Sequence, residues 1–311
     1  LDKQGHVLVI GAASLDIKGR PSARPVRGSS TPGLIRTSLG GVARNIAENL
    51  ARLDVETVLL TAVGDDDSGA HILGQAAGSG VDISEALVVE GQRTGAYMAL
   101  LAEDGSLDVA LDDMGVLAAL KPEYFEARRY LFQNARMAAI DANPSPEALD
   151  TIVRLCQEYR VPLCADPTST ALAARLRPHL PYLYMTSPNV PEASVLCGDR
   201  FEPGDRNAAQ AAASHLVAMG VGIAIITLAE FGVVYADAET KGHIPAIQTQ
   251  IVDATGAGDA MTAAIIFGLL EGIPLDECVR LGVTAATLTL RSRETVRPDL
   301  SVDLLYNELV I

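Results

Sequence analysis

Apolar residues along this chain fall into two alternating patterns. HVLVIGAAS (6–14) is a short apolar run that ends in small residues, and GVARNIAENLARLD (41–54) places Val42, Ile46, Leu50 and Leu53 at helical spacing. The same strand-then-helix order recurs in VETVLLTAV followed by HILGQAAGSG, MAAIDA followed by PEALDTIVRLCQEY, VPLCAD followed by TALAARLRP, and YLYMTSP followed by EASVLCG. NAAQAAASHLVAMG then reads as a helix leading into the strand GIAIITL. This alternation predicts an α/β fold, a mostly parallel sheet with helices on both faces in three α/β/α layers. Ligands in such sheets sit beyond the carboxyl ends of the strands. Those ends carry Ser14 and Asp16, Gly64 and Asp65, Asp141, Asp166, Ser187 and Asn189, and Thr227.

Two segments break the rhythm. DIKGRPSARPVRGSSTPGLIRTS (16–38) and RTGAYMALLAEDGSLDVALDD (93–113) read as strands outside the main sheet, the second with a DG hairpin signal between two alternating runs. Strand-rich insertions beside a ligand-bearing edge predict a small β-sheet lid. With no repeat, low-complexity stretch or linker in between, residues 1–311 read as a single domain.

Composition removes several function classes. A net charge of −15, from 24 Lys and Arg against 39 Asp and Glu, provides no basic face, so nucleic acid is excluded as a partner. No apolar run reaches the ~18 residues of a membrane span, and no secretory leader is apparent, so a soluble cytoplasmic protein is expected. Cys156, Cys164, Cys197 and Cys278 lack metal-ligand spacing and read as buried free thiols, and the five histidines show no ligand spacing either.

The chemistry concentrates in DATGAGDA (253–260), which follows the β-like run ETKGHIPAIQTQIV and precedes the apolar, helix-like AMTAAIIFGLLEGI. Gly256, Ala257 and Gly258 thus lie where a loop enters a helix. Outward-pointing N–H groups and the helix dipole attract anions there, phosphate above all. Neither a GxxxxGK[ST] loop nor a GxGxxG fingerprint is present, which leaves an anion hole formed by these three backbone groups. Asp259, in the first helical turn, would accept the proton of an attacking hydroxyl, and the dipole is expected to keep it ionised. GGVARN (40–45) adds two glycines and an asparagine amide at another helix entry, and Asp16 adds a carboxylate suited to paired sugar hydroxyls.

Gly40–Gly41 with Asn45, VGDD (63–66), SPNVPEA (187–193) and DATGAGDA, in this order, resemble the ribokinase-like PfkB family of carbohydrate and nucleoside kinases. GAASLDIKG, TPGLIRTSLGGVARNIAENLARL and ALDDM (110–114) have the character of the subgroup that acts on pseudouridine. The resemblance implies transfer of a phosphoryl group from ATP to a nucleoside 5′-hydroxyl, with Asp259 as base and Gly256, Ala257 and Gly258 as anion hole. It also implies that Asp16, Gly40, Gly41 and Asn45 hold the ribose, with Ser14, Asp113 and Met114 near the base. Asn189 and Glu192 fall on an NxxE motif that organises Mg²⁺ through water, Asp253 on a position that often supports a monovalent cation such as K⁺, and Thr227, Gly232 and Thr255 on the border of the nucleotide. Pairing of the lids implies a homodimer. Two departures stand out: Val42 replaces a lysine usual in ribokinases, which argues against plain ribose, and Ala229 stands where the family often has glycine.

Overall fold

Apolar runs too short to make a helix form the centre of the molecule as strands buried on both faces. The computed structural model describes residues 5–26, 28–102, 107–202 and 204–309. In chain order the strands are β1 (Val7–Ile10), β2 (Ser14–Pro21), β3 (Gly33–Gly40), β4 (Thr57–Leu60), β5 (Ala62–Gly64), β6 (Leu87–Val89) and β7 (Gly95–Leu101). They continue with β8 (Leu107–Asp113), β9 (Met137–Asp141), β10 (Leu163–Asp166), β11 (Met185–Thr186), β12 (Ile223–Thr227), β13 (Val233–Ala236) and β14 (Lys241–Ile244). The main sheet has the order β14-β13-β12-β11-β10-β9-β1-β4 and is parallel from β4 to β12, with β13 and β14 antiparallel at one edge.

Alternate residues of β1 serve opposite layers. Val7 and Val9 pack with Ile46 and Leu50 of helix Val42–Arg52 and with Ile265 of helix Ala257–Leu270. Leu8 and Ile10 share the other core with Leu149 and Ile152 of helix Pro146–Tyr159. Helix Ala257–Leu270 is buried at every residue from Asp259 to Leu270, as its uniformly apolar sequence predicts. All four cysteines are buried free thiols, as expected.

Several expected elements change shape. VETVLLTAV splits at Thr61: β4 stays in the main sheet, while β5 leaves it to pair with β6. ETKGHIPAIQTQIV is a strand only over β14. TALAARLRP is one α-turn, Thr170–Ala173, followed by 3₁₀ helix through Tyr182, where Pro178 and Pro181 each remove an α-helical donor.

The insertions form a second, four-stranded sheet in the order β3-β2-β7-β8. The Asp104–Gly105 hairpin signal lies outside the described residues, but β7 and β8 on either side of it pair antiparallel. Because β2 follows β1 after Gly11–Ala13, residues at the mouth of the main sheet continue directly into the small one.

Candidate active site

The turn entering helix Ala257–Leu270 needs its first glycine for internal reasons. Gly256 is the N-cap, with φ of 81°, and a Cβ there would lie 2.0 Å from the Thr295 carbonyl oxygen. Gly258 differs. It is already helical, and a Cβ would meet nothing within 4 Å. The bare backbone at Gly258 therefore leaves a cradle that the protein does not fill.

Helix Val42–Arg52 arrives beside this turn. Its N-cap Gly41, with φ of 92°, lets the chain pass the Ala12 carbonyl, which a Cβ would approach to 2.3 Å. The buried Asp141 carboxylate accepts from Ala12 N at 2.7 Å and Ala43 N at 3.3 Å, tying the end of β9 to the helix entry. Arg44, also buried, donates to the Gly40 carbonyl, to Glu48 at 2.8 Å and to Thr295 Oγ1 at 3.0 Å. The arginine thus fastens the glycine pair to the residue that backs Gly256.

Asn45 then reaches Asp259, donating from Nδ2 to Oδ2 at 2.6 Å. With that donor engaged, the buried Asn45 Oδ1 has no partner among the described residues. A buried acceptor of this kind fits a ligand hydroxyl. Asp16 lies against Gly40, where a Cβ would sit 1.9 Å from its Oδ1, and the Ser14 hydroxyl donates to it at 3.4 Å. Ser14, Asp16, Gly40, Gly41, Asn45 and Asp259 are therefore brought together.

The expectation of a fully ionised Asp259 is corrected by its surroundings. Burial raises its carboxyl to about 7, outweighing the Asn45 hydrogen bond and the Arg44 charge, while Asp16 and Asp141 push it further up. The dipole favours the charge, but loss of water costs more. Burial likewise raises Asp16 to about 6, against the lowering effect of Lys18 and Arg44. Asp166, at the end of β10, is raised well above the usual carboxylate range by burial and then by the charges of Asp259 and Glu192.

On the other side of the turn lies a cavity of about 720 Å³. Asn189, Thr227 and Gly232 line it together with Ala257 and Gly258, whereas Glu192 and Thr255 are not among its lining residues. Asn189 and Glu192 form a reciprocal capping box on helix Val190–Cys197, each backbone N–H donating to the other side chain at 2.9 Å. Ala229, also in the lining, holds a left-handed φ of 50°, the conformation a glycine would adopt without strain. Sequence reasoning missed Phe231, Ile247, Val283, Ala286, Thr287 and Leu290, which form much of the apolar wall. Their only sequence signal was apolar spacing, which marks core equally well.

Among the described residues no three His, Cys, Asp or Glu side chains converge to bind a metal ion directly. The charges of Asp259 and Glu192 that raise Asp166 nevertheless fit a divalent cation held through water and phosphate oxygens. A free monovalent ion does not fit at Asp253. There the Lys18 ammonium already donates to both carboxylate oxygens at 2.8 Å and to Thr255 Oγ1 at 2.5 Å.

The register of the small sheet separates one predicted residue, Asp113, from the rest. Asp16 pairs with Tyr97, and Tyr97 with Asp112, so these three share one face. Asp113 pairs with Ala96 on the opposite face, is exposed, and accepts from Gly115 N at 3.1 Å. Met114 packs against the main core and close to Gly95. Asp65 and Asp66 read as loop and cap, and Asp66 indeed caps helix Asp67–Gly78 through Gly69 N.

A three-layer α/β/α sheet with a small second sheet over its carboxyl edge, and a glycine turn entering a buried helix there, describe a sugar-kinase fold. The chain belongs to the pfkB family of carbohydrate kinases, whose profile matches residues 4–301. It is 34% identical over 301 residues to the pseudouridine kinase of Escherichia coli K12, spanning 96% of this chain and 95% of that protein. A putative sugar kinase from Clostridium perfringens superposes with a TM-score of 0.83 at 29% identity, covering 99% of this chain and 96% of the other. Arabidopsis thaliana ribokinase complexed with ribose and ATP superposes with a TM-score of 0.85 at 23% identity over 99% of each chain. That last likeness speaks to the fold.

Proposed function

We propose that the protein is an ATP-dependent kinase that phosphorylates the 5′-hydroxyl of pseudouridine, giving pseudouridine 5′-phosphate and ADP. The observation that carries this reading is Asn45, which bonds Asp259 at 2.6 Å while keeping a buried acceptor for a ligand hydroxyl. The 34% identity to a pseudouridine kinase supports the choice of nucleoside. The cavity beyond Gly258 has the size and apolar lining for ATP, which the Arabidopsis ribokinase structure contains.

In this reading Asp16 and Asn45 hold the ribose hydroxyls. Asp259, deprotonated, takes the proton of the 5′-hydroxyl while the O5′–Pγ bond forms and the bond from Pγ to the leaving ADP oxygen breaks. The N–H groups of Gly256, Ala257 and Gly258 face the phosphoryl oxygens and stabilise the charge that develops on them. Mg²⁺ supplies charge neutralisation on the triphosphate, and Asn189 and Glu192 would orient its waters. The small sheet acts as the lid of a single domain. Its face opposite Asp16 exposes Ile35, Met98, Val109 and Leu111, which supports pairing with a second copy in a homodimer.

A coupled ADP-release assay across pseudouridine, uridine, adenosine, ribose and fructose 6-phosphate tests the reading. The highest kcat/KM is expected for pseudouridine. A higher value for another acceptor would make the protein a different nucleoside or sugar kinase, and binding of nucleoside without ADP release would make it a non-catalytic binding protein.

A further inference from the structure

Lys18 lies on β2, two residues beyond Asp16 and on the same face. Its ammonium crosses to the loop before the glycine turn, 235 residues away, and places its three hydrogens on Asp253 Oδ1, Asp253 Oδ2 and Thr255 Oγ1. Asp253 Oδ1 also accepts from Thr255 N at 2.9 Å, so the loop is folded around the charge. The ammonium is largely buried, its side chain 15% exposed.

We infer that Lys18 is a cation built into the chain, supplying beside the anion turn the single positive charge that would otherwise come from a free monovalent ion. This rests on the kinase reading of the same site. Oxygens of the carboxylate and the neighbouring hydroxyl are of the kind a potassium ion takes as ligands, and these three are already bonded to the ammonium. Entry of an ion requires withdrawing Lys18 from these oxygens. The charge lies close to where the transferred phosphoryl group gathers negative charge, and it also faces Asp16. Burial disfavours the Asp253 carboxylate, yet its hydrogen bonds to Lys18 and Thr255 hold it below the usual range. The group therefore stays charged and paired across the working pH range.

The test uses the wild type, Lys18→Met, and the double variant Lys18→Met with Asp253→Asn. Each is measured in KCl, NaCl and tetramethylammonium chloride at fixed ionic strength, reading kcat with ATP and pseudouridine and, separately, the Tm of the ligand-free protein. Wild-type kcat and Tm are expected to be the same in the three salts. Lys18→Met is expected to lose at least tenfold in kcat in tetramethylammonium, to regain a large part in KCl, and to acquire a KCl-selective rise in Tm that the double variant lacks. Lys18→Ala replaces Lys18→Met should the latter not fold, and the wild-type series needs no variant.

A tenfold potassium activation of the wild type, a Lys18→Met kcat equal to wild type in every salt, or a loss without any cation response in either readout would overturn the inference. Absence of turnover with every acceptor would instead overturn the kinase reading. The Tm series would still decide the role of Lys18.

Discussion

Asn45 donates its side-chain amide to Asp259 at 2.6 Å, joining the first turns of two helices 214 residues apart in sequence. The bond orients the carboxylate and stabilises its charged form, against burial that holds the group at about 7. A base must be deprotonated to act. The pH dependence of kcat/KM should therefore rise about tenfold per unit below pH ~7 and level off above it. Removing the donor in Asn45→Ala raises the carboxyl further, so the acid limb is expected to move to higher pH. A pH–rate profile of both proteins checks this, and an unmoved limb would remove Asp259 as the titrating group.

Asp259→Asn separates chemistry from stability. The amide keeps an oxygen for Asn45 and the same shape but takes no proton, so kcat should fall by about 10²–10⁴ while nucleoside affinity by calorimetry survives. In the folded state the aspartate is raised to about 7 from an ordinary 3.8. Its contribution to stability is full below 3.8 and is lost as pH rises through about 7. Above that pH the wild type carries a buried charge that the variant lacks. The variant should melt a few degrees higher at pH 8.5, with the gap closing toward pH 5. Near-normal turnover would reduce Asp259 to a helix-entry carboxylate.

What was legible in advance was what the chain encodes locally. Apolar runs gave the main sheet, and GAGD gave the helix entry, because a left-handed glycine such as Gly256 is a property of a few adjacent residues. Longer-range features were not legible. The Lys18–Asp253 pair spans 235 residues, and no local pattern connects them. The face on which Asp113 lies was not legible either, because a strand's side chains alternate and the pairing of β8 with β7 decides which of them share a face with Asp16. The ionisation of Asp259 depends on burial by helix Val42–Arg52, which the residues around it do not reveal.

The two glycines of the turn should respond in opposite ways. Gly256→Ala forces a left-handed alanine, at about 1 kcal/mol, and drives a Cβ into the Thr295 carbonyl, so the total loss should reach a few kcal/mol. A fall in Tm of several degrees is the expected result. Gly258→Ala places its methyl in open space on a helix, where alanine is favoured by about 1 kcal/mol. Its Tm should hold or rise while kcat or the KM for ATP worsens, because the methyl enters the cradle assigned to phosphate. Thermal melts alongside steady-state kinetics decide the matter. Unaltered kinetics for Gly258→Ala would move the phosphate site away from this turn.

The proposed homodimer depends on one face of the small sheet. Ile35, Met98, Val109 and Leu111 lie on the side away from Asp16, and Ile35 and Leu111 are 76% and 69% exposed. A contiguous apolar sheet face left in water is costly at ~25 cal/mol per Å², and a second copy presenting the same face would cover both by two-fold symmetry. Light scattering at micromolar concentration should therefore report twice the chain mass of 32.6 kDa. Leu111→Glu should shift the population to monomer, since two carboxylates would be buried across the axis. Its own fold should be unaffected, because the side chain has few intramolecular neighbours to lose. A monomeric wild type under these conditions would leave the exposed face without the partner proposed for it.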